Sequence, residues 1–422
     1  MNESYLHFLW KSKRFDSRNL KLVCGRTINI LNVGWHNPDA GPDFFNGTVD
    51  IDGIKWTGNI EIHIRSSDWY AHQHQKDDAY NNVILHVVYE YNKPVYIKEK
   101  EVPTLVLKHQ IDPEHLLNYQ QFFSLKKEKP CAEFLSKCHS SLSDQIRLAF
   151  FHRIERKGLA LVHDASVQKR NANDTLLLSL AKAFGGRLNR KPMAQLATGL
   201  TMKTIWKEKW SDERMNALFL GKAGFLENSK SDYSKRLFPY WKMLKRKYEF
   251  SEMNVSSWKY KGVRPSSFPT RRVAEFAQIA KQLYPEMASL NTNKELKAKW
   301  KNLLTIELDD FWVENYSLDI PSKRKNSAGL SRMMKHKLFI NAIAPFLIYR
   351  KHVFAEYHND ELIVDLLSEI APEENKVTKQ WKQLGVPVEN AVDSQGLLEL
   401  NNEFCIFRKC LSCQVGKALL DR

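Results

Sequence analysis

Residues Gly41–Glu90 read GPDFFNGTVDIDGIKWTGNIEIHIRSSDWYAHQHQKDDAYNNVILHVVYE. Two runs, FFNGTVDI and IKWTGNIEIHI, flank Asp52-Gly53, a dipeptide that favours a tight hairpin turn. Within the second run, Ile60-Glu61-Ile62-His63-Ile64 alternates strictly, which predicts Glu61 and His63 on one strand face and the isoleucines on the other. The hairpin would return this strand beside Asp43. Asp68-Trp69-Tyr70 and the polar residues after it predict a short helix or loop, and Asn82–Glu90 predicts a further apolar strand.

This pattern carries chemistry. Hydrolysis of a phosphodiester needs charge neutralised on the phosphate and a water activated, and a divalent ion held by two carboxylates does both. Asp43 and Glu61, presented from adjacent strands, make such a pair, with His63 two residues on facing the same way. The bland alternative is a turn aspartate after Gly41-Pro42 and a glutamate paired with Arg65 or Lys55 across an exposed sheet.

Pro42-Asp43, Glu61-x-His63 and the order helix, strands, short helix, strands resemble the PD-(D/E)xK nuclease superfamily. The resemblance implies an αβββαβ core, Mg²⁺ or Mn²⁺ as cofactor, and cleavage of DNA or RNA. Carried over, Asp43 and Glu61 would be metal ligands and His63 would stand at the lysine position. Histidine supplies less charge near neutrality than lysine, and Lys55 on the preceding strand is a candidate substitute. The chain also resembles an uncharacterised bacterial family of basic proteins, through GPDFFNG, EIHIRSSDW, HQHQKDDAYNNVILHVV, RPSSFPTRRVAEFA and a cysteine-bearing C-terminus.

A second constellation overlaps the first. His63, His72 and His74 offer imidazoles suited to zinc, which makes a zinc-dependent hydrolase the alternative enzyme class. Their convergence requires His72-Gln73-His74 to be extended; otherwise His72 and His74 are rim residues that meet phosphate. His86, within an apolar strand, reads as a hydrogen-bonded core residue. Near the C-terminus, Cys405-x4-Cys410-x2-Cys413 suggests Zn²⁺ or an Fe–S cluster, with Cys24, Cys131 or Cys138 as a remote fourth ligand, or else free thiols.

The rest of the chain changes texture. From about Ile111 the periodicity is helical, in Ser143–Val162, Thr175–Phe184, Tyr233–Tyr248, Arg271–Tyr284, Lys294–Leu304 and Lys335–Arg350. The expected class is therefore α+β. A PD-(D/E)xK-like αβββαβ domain over residues 1–124 is followed, after a linker near Lys126–Cys138, by a basic α-helical region over 139–422 of one or two subdomains. A length of 422 residues agrees with more than one core.

The formal net charge of +16 favours a polyanionic partner. Cations interleave with aromatics at Lys207–Trp210, Lys235–Lys242, Lys245–Tyr248 and Trp258–Lys261, an arrangement that neutralises phosphates and stacks on bases. Arg264, Arg271 and Arg272, around a helix start at Pro269-Thr270, join His72 and His74 as expected nucleic-acid contacts. A non-catalytic nucleic-acid-binding protein on a degenerate nuclease fold is thus the other alternative. No Walker-type phosphate loop occurs. The N-terminus lacks a signal-peptide pattern, and the longest apolar run, Leu338–Tyr349, falls short of the ~20 residues that span a bilayer. A cytoplasmic location without membrane contact is expected.

Overall fold

The computed structural model describes residues 2–124, 129–283, 298, 302–356 and 359–421. They divide into two compact units: residues 1–145 with 400–422, and residues 146–399.

The first unit begins with α1 (Glu3–Lys11), whose N-terminus is capped by the Asn2 side chain accepting from the Tyr5 N–H. A nine-residue helix is marginal alone. It holds because Tyr5, Leu6, Phe8, Leu9 and Trp10 are buried, each worth roughly 1.5–3 kcal/mol on the area scale. The sheet comprises β1 (Ile28–Asn32), the short β2 (Trp35–His36), β3 (Phe44–Ile51), β4 (Ile54–Arg65), β5 (Val83–Glu90) and β8 (Thr104–Val106); β6 (Tyr96–Ile97) and β7 (Lys100–Glu101) form a separate small hairpin. Spatial order is β1-β3-β4-β5-β8, with β2 on β3. The β1–β3 and β3–β4 pairs are antiparallel, and β4–β5 and β5–β8 are parallel.

The β3–β4 turn is the one the sequence predicts: Asp52 and Gly53 have φ of 51° and 85°, both left-handed. The parallel step from β4 to β5 is made through α2 (Asp68–Ala71) and two short 3₁₀ turns, His74–Lys76 and Asp78–Tyr80. Phe44, Val49, Ile60, Ile62, Leu85, Val87 and Leu105 form the core with the apolar face of α1. The β3–β4 register slips between Phe44 and Gly47, where Asn46 takes a left-handed φ of 55°. This bulge sits directly after Asp43, a common place for one beside a site.

α3 (Pro113–Ser124) follows the sheet, and the C-terminal helix Gln414–Leu420 returns to this unit. Leu420 is 1% exposed within the same core as Phe44 and Ile62. The expected division therefore differs: the last residues belong with the sheet rather than with the helical region. The expected linker lies partly outside the described residues, at 126–128, and continues as a short helical segment, Pro130–Lys137.

The second unit is helical. α4 (His139–Val167) contains the predicted Ser143–Val162, and α5 (Ala172–Gly185) contains Thr175–Phe184. α6 (Arg190–Thr198), α7 (Met202–Glu208), α8 (Asp212–Lys222) and α9 (Asp232–Tyr248) follow. α10 (Pro269–Gln282) starts with proline at its first turn, as the sequence predicts; Tyr284 and most of the expected Lys294–Leu304 helix lie outside the described residues. A helical run from Arg332 to Phe354 passes through a π turn at Phe339–Ile343. Leu177, Leu218, Phe219, Phe276, Ile343 and Leu347 are fully buried at the centre of this unit. The whole is α+β, and no helix among the described residues is long and apolar enough to cross a membrane.

Candidate metal centre

Strand alternation delivers Glu61 and His63 to one face of β4, and the structure buries both, at 4% and 1% exposure. Their environment is built by three elements. From the residue before β3, the Asp43 N–H donates to Glu61 Oε2 at 3.1 Å, and the Ile62 N–H donates to Asp43 Oδ2 at 2.9 Å. From β5, fully buried His86 places Nε2 2.8 Å from His63 Nδ1. From the β4–β5 crossover come His72 and His74.

The crossover explains how these two histidines converge. His72 ends α2, and Gln73 then adopts a left-handed φ of 62° before the 3₁₀ turn that starts at His74. The segment is not extended, the form expected for H-x-H convergence; one left-handed residue does the same work. His72 Nδ1 lies 3.1 Å from His63 Nε2. One ring nitrogen from each of His63, His72 and His74 falls within 4.8 Å of the others, and among the described residues this is the one group of metal-ligating side chains gathered so closely. Glu61 Oε1 faces it, 3.2 Å from His74 Nε2 and 3.6 Å from His63 Nε2.

Packing fixes the rings. Tyr80 stacks on His74 with centroids 3.9 Å apart, and fully buried Trp69 meets His63 edge-on. Burial first, then the neighbouring histidines, push the His63 pKa down to about 2, and His86 falls to about 3 for the same leading reason. Both rings are neutral at physiological pH, the form that ligates a metal. Burial raises the Glu61 carboxyl, and the Asp43 charge adds to the rise against the opposing pull of His74. His72 is exposed, so the group opens to solvent on that side.

The residues fit an ion on a specific observation. His74 Nε2 is buried and points at Glu61, yet makes no well-directed hydrogen bond. His63 and His72 present nitrogens to each other, and His63 Nδ1 is already bonded to His86, which leaves Nε2 to serve as a ligand. Three imidazoles with a nearby carboxylate suit zinc and similar transition metals better than Mg²⁺, which prefers oxygen ligands.

Against known proteins, one family model matches residues 3–376, with the description "Protein of unknown function (DUF2851)". The chain belongs to this family. No curated protein and no solved structure matches it.

The DUF2851 match spans the whole histidine centre and ends before the cysteines at 405–413. Those cysteines gather in the first unit with Cys131: burial leads the rise in each thiol's pKa, with Cys131 pushed up to about 12 and Cys410 to about 11, and for Cys131, Cys405 and Cys410 the charges of neighbouring thiols add to it. The backbone N–H groups of Val415 and Gly416 and the Lys417 charge oppose the rise at Cys413. Cys24 is exposed and is not among these neighbours.

Other sequence expectations fall elsewhere. Lys55 sits opposite Asp50 at the far, exposed end of the hairpin, so it does not substitute for the missing lysine. Glu61 turns to His74 and Asp43 rather than to Arg65 or Lys55. Asp68 and Asp77 accept the backbone N–H groups of Arg65 and Ala79. Arg271 is 3% exposed, bonded to the Trp312 and Ser327 carbonyls and to Glu275, which leaves it no face for a phosphate. Trp241 and Trp258 are core residues at 1% and 4% exposure, whereas Trp210 is 82% exposed beneath Lys209.

The sequence reasoning missed His7. Its Nε2 lies 3.2 Å from Asp43 Oδ2. Burial opposes its charge, yet the Asp43 carboxylate beside it and the nearby acids raise its pKa. The signal was present: Glu3 and His7 stand four apart on α1 and share a face.

Proposed function

We propose that this protein is a metal-dependent hydrolase of nucleic-acid phosphodiesters, with a zinc-class ion held by His63, His72 and His74 and with Glu61 as general base. The observation that carries the reading is the convergence of three imidazole nitrogens within 4.8 Å beside the Glu61 carboxylate. The ion would supply Lewis acidity and lower the pKa of a bound water. Glu61, its basicity raised by burial, takes the proton. Exposed His72 marks the side from which substrate enters.

Two features favour a phosphodiester substrate. With the short β2 left aside, the succession α1, β1, β3, β4, α2, β5, with β4 and β5 parallel, is compatible with the order expected of an αβββαβ core, and Asp43, just ahead of β3, lies beside Glu61 on β4. The net charge of +16 favours a polyanion. The same pairing favours a second reading, Mg²⁺ or Mn²⁺ on Asp43 and Glu61. The two separate by metal analysis and activity together. Wild type, the His72→Ala, His74→Ala double variant and Asp43→Ala are assayed on DNA and RNA with Zn²⁺, Mn²⁺ or Mg²⁺. The histidine reading expects bound transition metal and cleavage to vanish together in the double variant. Retained metal and cleavage there, with cleavage lost in Asp43→Ala, selects the carboxylate reading. Binding without cleavage under every ion overturns both and leaves a non-catalytic nucleic-acid-binding protein.

A further inference from the structure

The second unit contains a cavity of about 300 Å³ between the α5–α6 turn, the segment leading into α10 and the helix Arg332–Leu338. Its size is at the lower end for small-molecule sites. Four cations line it, Arg187, Arg264, Arg272 and Lys337, and no Asp or Glu does. Elsewhere in this unit several cations are matched by carboxylates: Glu399 takes Arg153 and Arg156, Glu208 takes Lys247, and Glu275 takes Arg271. In the cavity only Arg272 is matched, by Glu275, with its other amine on Ser267 Oγ at 2.8 Å. Among the described residues Arg187, Arg264 and Lys337 make no side-chain hydrogen bond or ion pair.

The walls are fixed around this charge. Buried Asn189 accepts from the Lys259 N–H and donates to the Lys259 carbonyl, both at 2.8 Å, which ties the α5–α6 turn to the segment before α10. Gly186 has a left-handed φ of 56°, and a Cβ there would stand 3.0 Å from Lys337 Nζ, so glycine lets the amine approach the turn. Buried Trp258 contributes an apolar wall. Arg187, Arg264 and Lys337 are solvent-exposed around the cavity, so water screens their mutual repulsion, and with no carboxylate among the lining residues they present positive charge to an incoming anion. Partial desolvation of its amine and the Arg272 charge lower the Lys337 pKa, against the opposing charge of Glu373.

We propose that this cavity binds a terminal phosphomonoester of a nucleotide, either free or at the end of a strand. A phosphomonoester carries about −1.5 to −2 charge at neutral pH, which suits three uncompensated cations better than the single charge of a diester. Arginine forks and a lysine point charge are the side chains that recognise its oxygens. The inference concerns the second unit and does not rest on the metal-centre reading.

Equilibrium dialysis of the full chain tests it, with AMP, inorganic phosphate, and one single-stranded oligonucleotide bearing either a 5′-phosphate or a 5′-hydroxyl. Arg187→Ala and Lys337→Met are compared with wild type after circular dichroism confirms folding, with Arg264→Ala as replacement for either variant that fails to fold. The expected result is saturable binding of AMP or of the 5′-phosphorylated strand, weakened about tenfold or more in each variant. Preference for AMP assigns a free nucleotide as the source, and preference for the phosphorylated over the hydroxyl strand assigns a strand end. Absence of saturable binding, equal binding of the two strands with none of AMP, or wild-type affinity in both folded variants overturns the proposal.

Discussion

Asp43, just ahead of β3, and Glu61 on β4 are tied by two backbone-to-carboxylate hydrogen bonds: the Asp43 N–H donates to Glu61 Oε2, and the Ile62 N–H beside Glu61 donates to Asp43 Oδ2. One oxygen of Glu61 is thereby fixed, and the other, Oε1, faces His63 and His74. The carboxylate is aimed before any substrate arrives, which is what a general base requires.

Glu61→Gln separates binding from proton transfer. The amide keeps the shape of the carboxylate but loses its basicity, and the imidazoles of His63, His72 and His74 are untouched. Metal content should stay at the wild-type level, while turnover falls by roughly a hundredfold or more. Plasma mass spectrometry and a cleavage assay on one preparation check this; undiminished turnover would remove Glu61 from the role of base.

His86 acts on the centre through His63. Its Nε2, 2.8 Å from His63 Nδ1, fixes that ring's orientation and leaves Nε2 of His63 for the ion. Second-layer partners of metal-bound histidines are worth on the order of 10–100-fold in metal affinity. His86→Leu should lose affinity in that range in a chelator competition, with the far-ultraviolet circular dichroism unchanged. An unaltered affinity would make His86 a packing residue only.

Much of this site was written in local pattern. Period-two alternation placed Glu61, His63 and the isoleucines, and Asp52-Gly53 marked the hairpin because its geometry needs two left-handed residues. What was hidden depends on single dihedrals or on distant partners. Gln73 is an ordinary-looking residue whose φ of 62° joins His72 to His74. His7 reaches Asp43 only after α1 packs on the sheet. Leu420 enters the sheet's core from the far end of the chain, a contact that helical periodicity cannot announce. The basic segments misled in a different way: Arg271 and Trp258 carry nucleic-acid-like chemistry in sequence and are consumed by packing in the fold.

Lys157 makes the second unit pH-sensitive. Its Nζ is turned inward to Asn341 Oδ1 at 3.0 Å. Burial first, and then Arg153, Arg190 and Arg156 against the opposing Glu373, lower its pKa from 10.5 to about 7. Between these values the unfolded chain holds a proton that the folded chain has released, so this group makes stability rise with pH across about 7 to 10.5 and exacts its full penalty below 7. The contribution is on the order of a few kcal/mol. Lys157→Met should raise the melting temperature at pH 6 and flatten its climb towards pH 9.5; an unchanged pH slope would show that the amine stays charged in the fold.

The cysteines should separate by reactivity. Burial raises the Cys131 thiol to about 12 and Cys410 to about 11, and it raises Cys405 and Cys413 as well, whereas Cys24 is exposed. Only thiolates alkylate at useful rates, so iodoacetamide at pH 8 should label Cys24 first, with Cys131, Cys405, Cys410 and Cys413 lagging by an order of magnitude or more, as peptide mass spectrometry reads. The four lagging thiols are the ones a soft metal would need deprotonated. Preincubation with Zn²⁺ tests the thiolate centre that Cys405-x4-Cys410-x2-Cys413 suggests. Joint protection of Cys131, Cys405, Cys410 and Cys413, with release of protons to the medium, would support a bound ion drawing the sulfurs together. Labelling that zinc leaves unaltered, with no proton release, would establish them as buried free thiols, held protonated by the apolar surroundings that keep them slow.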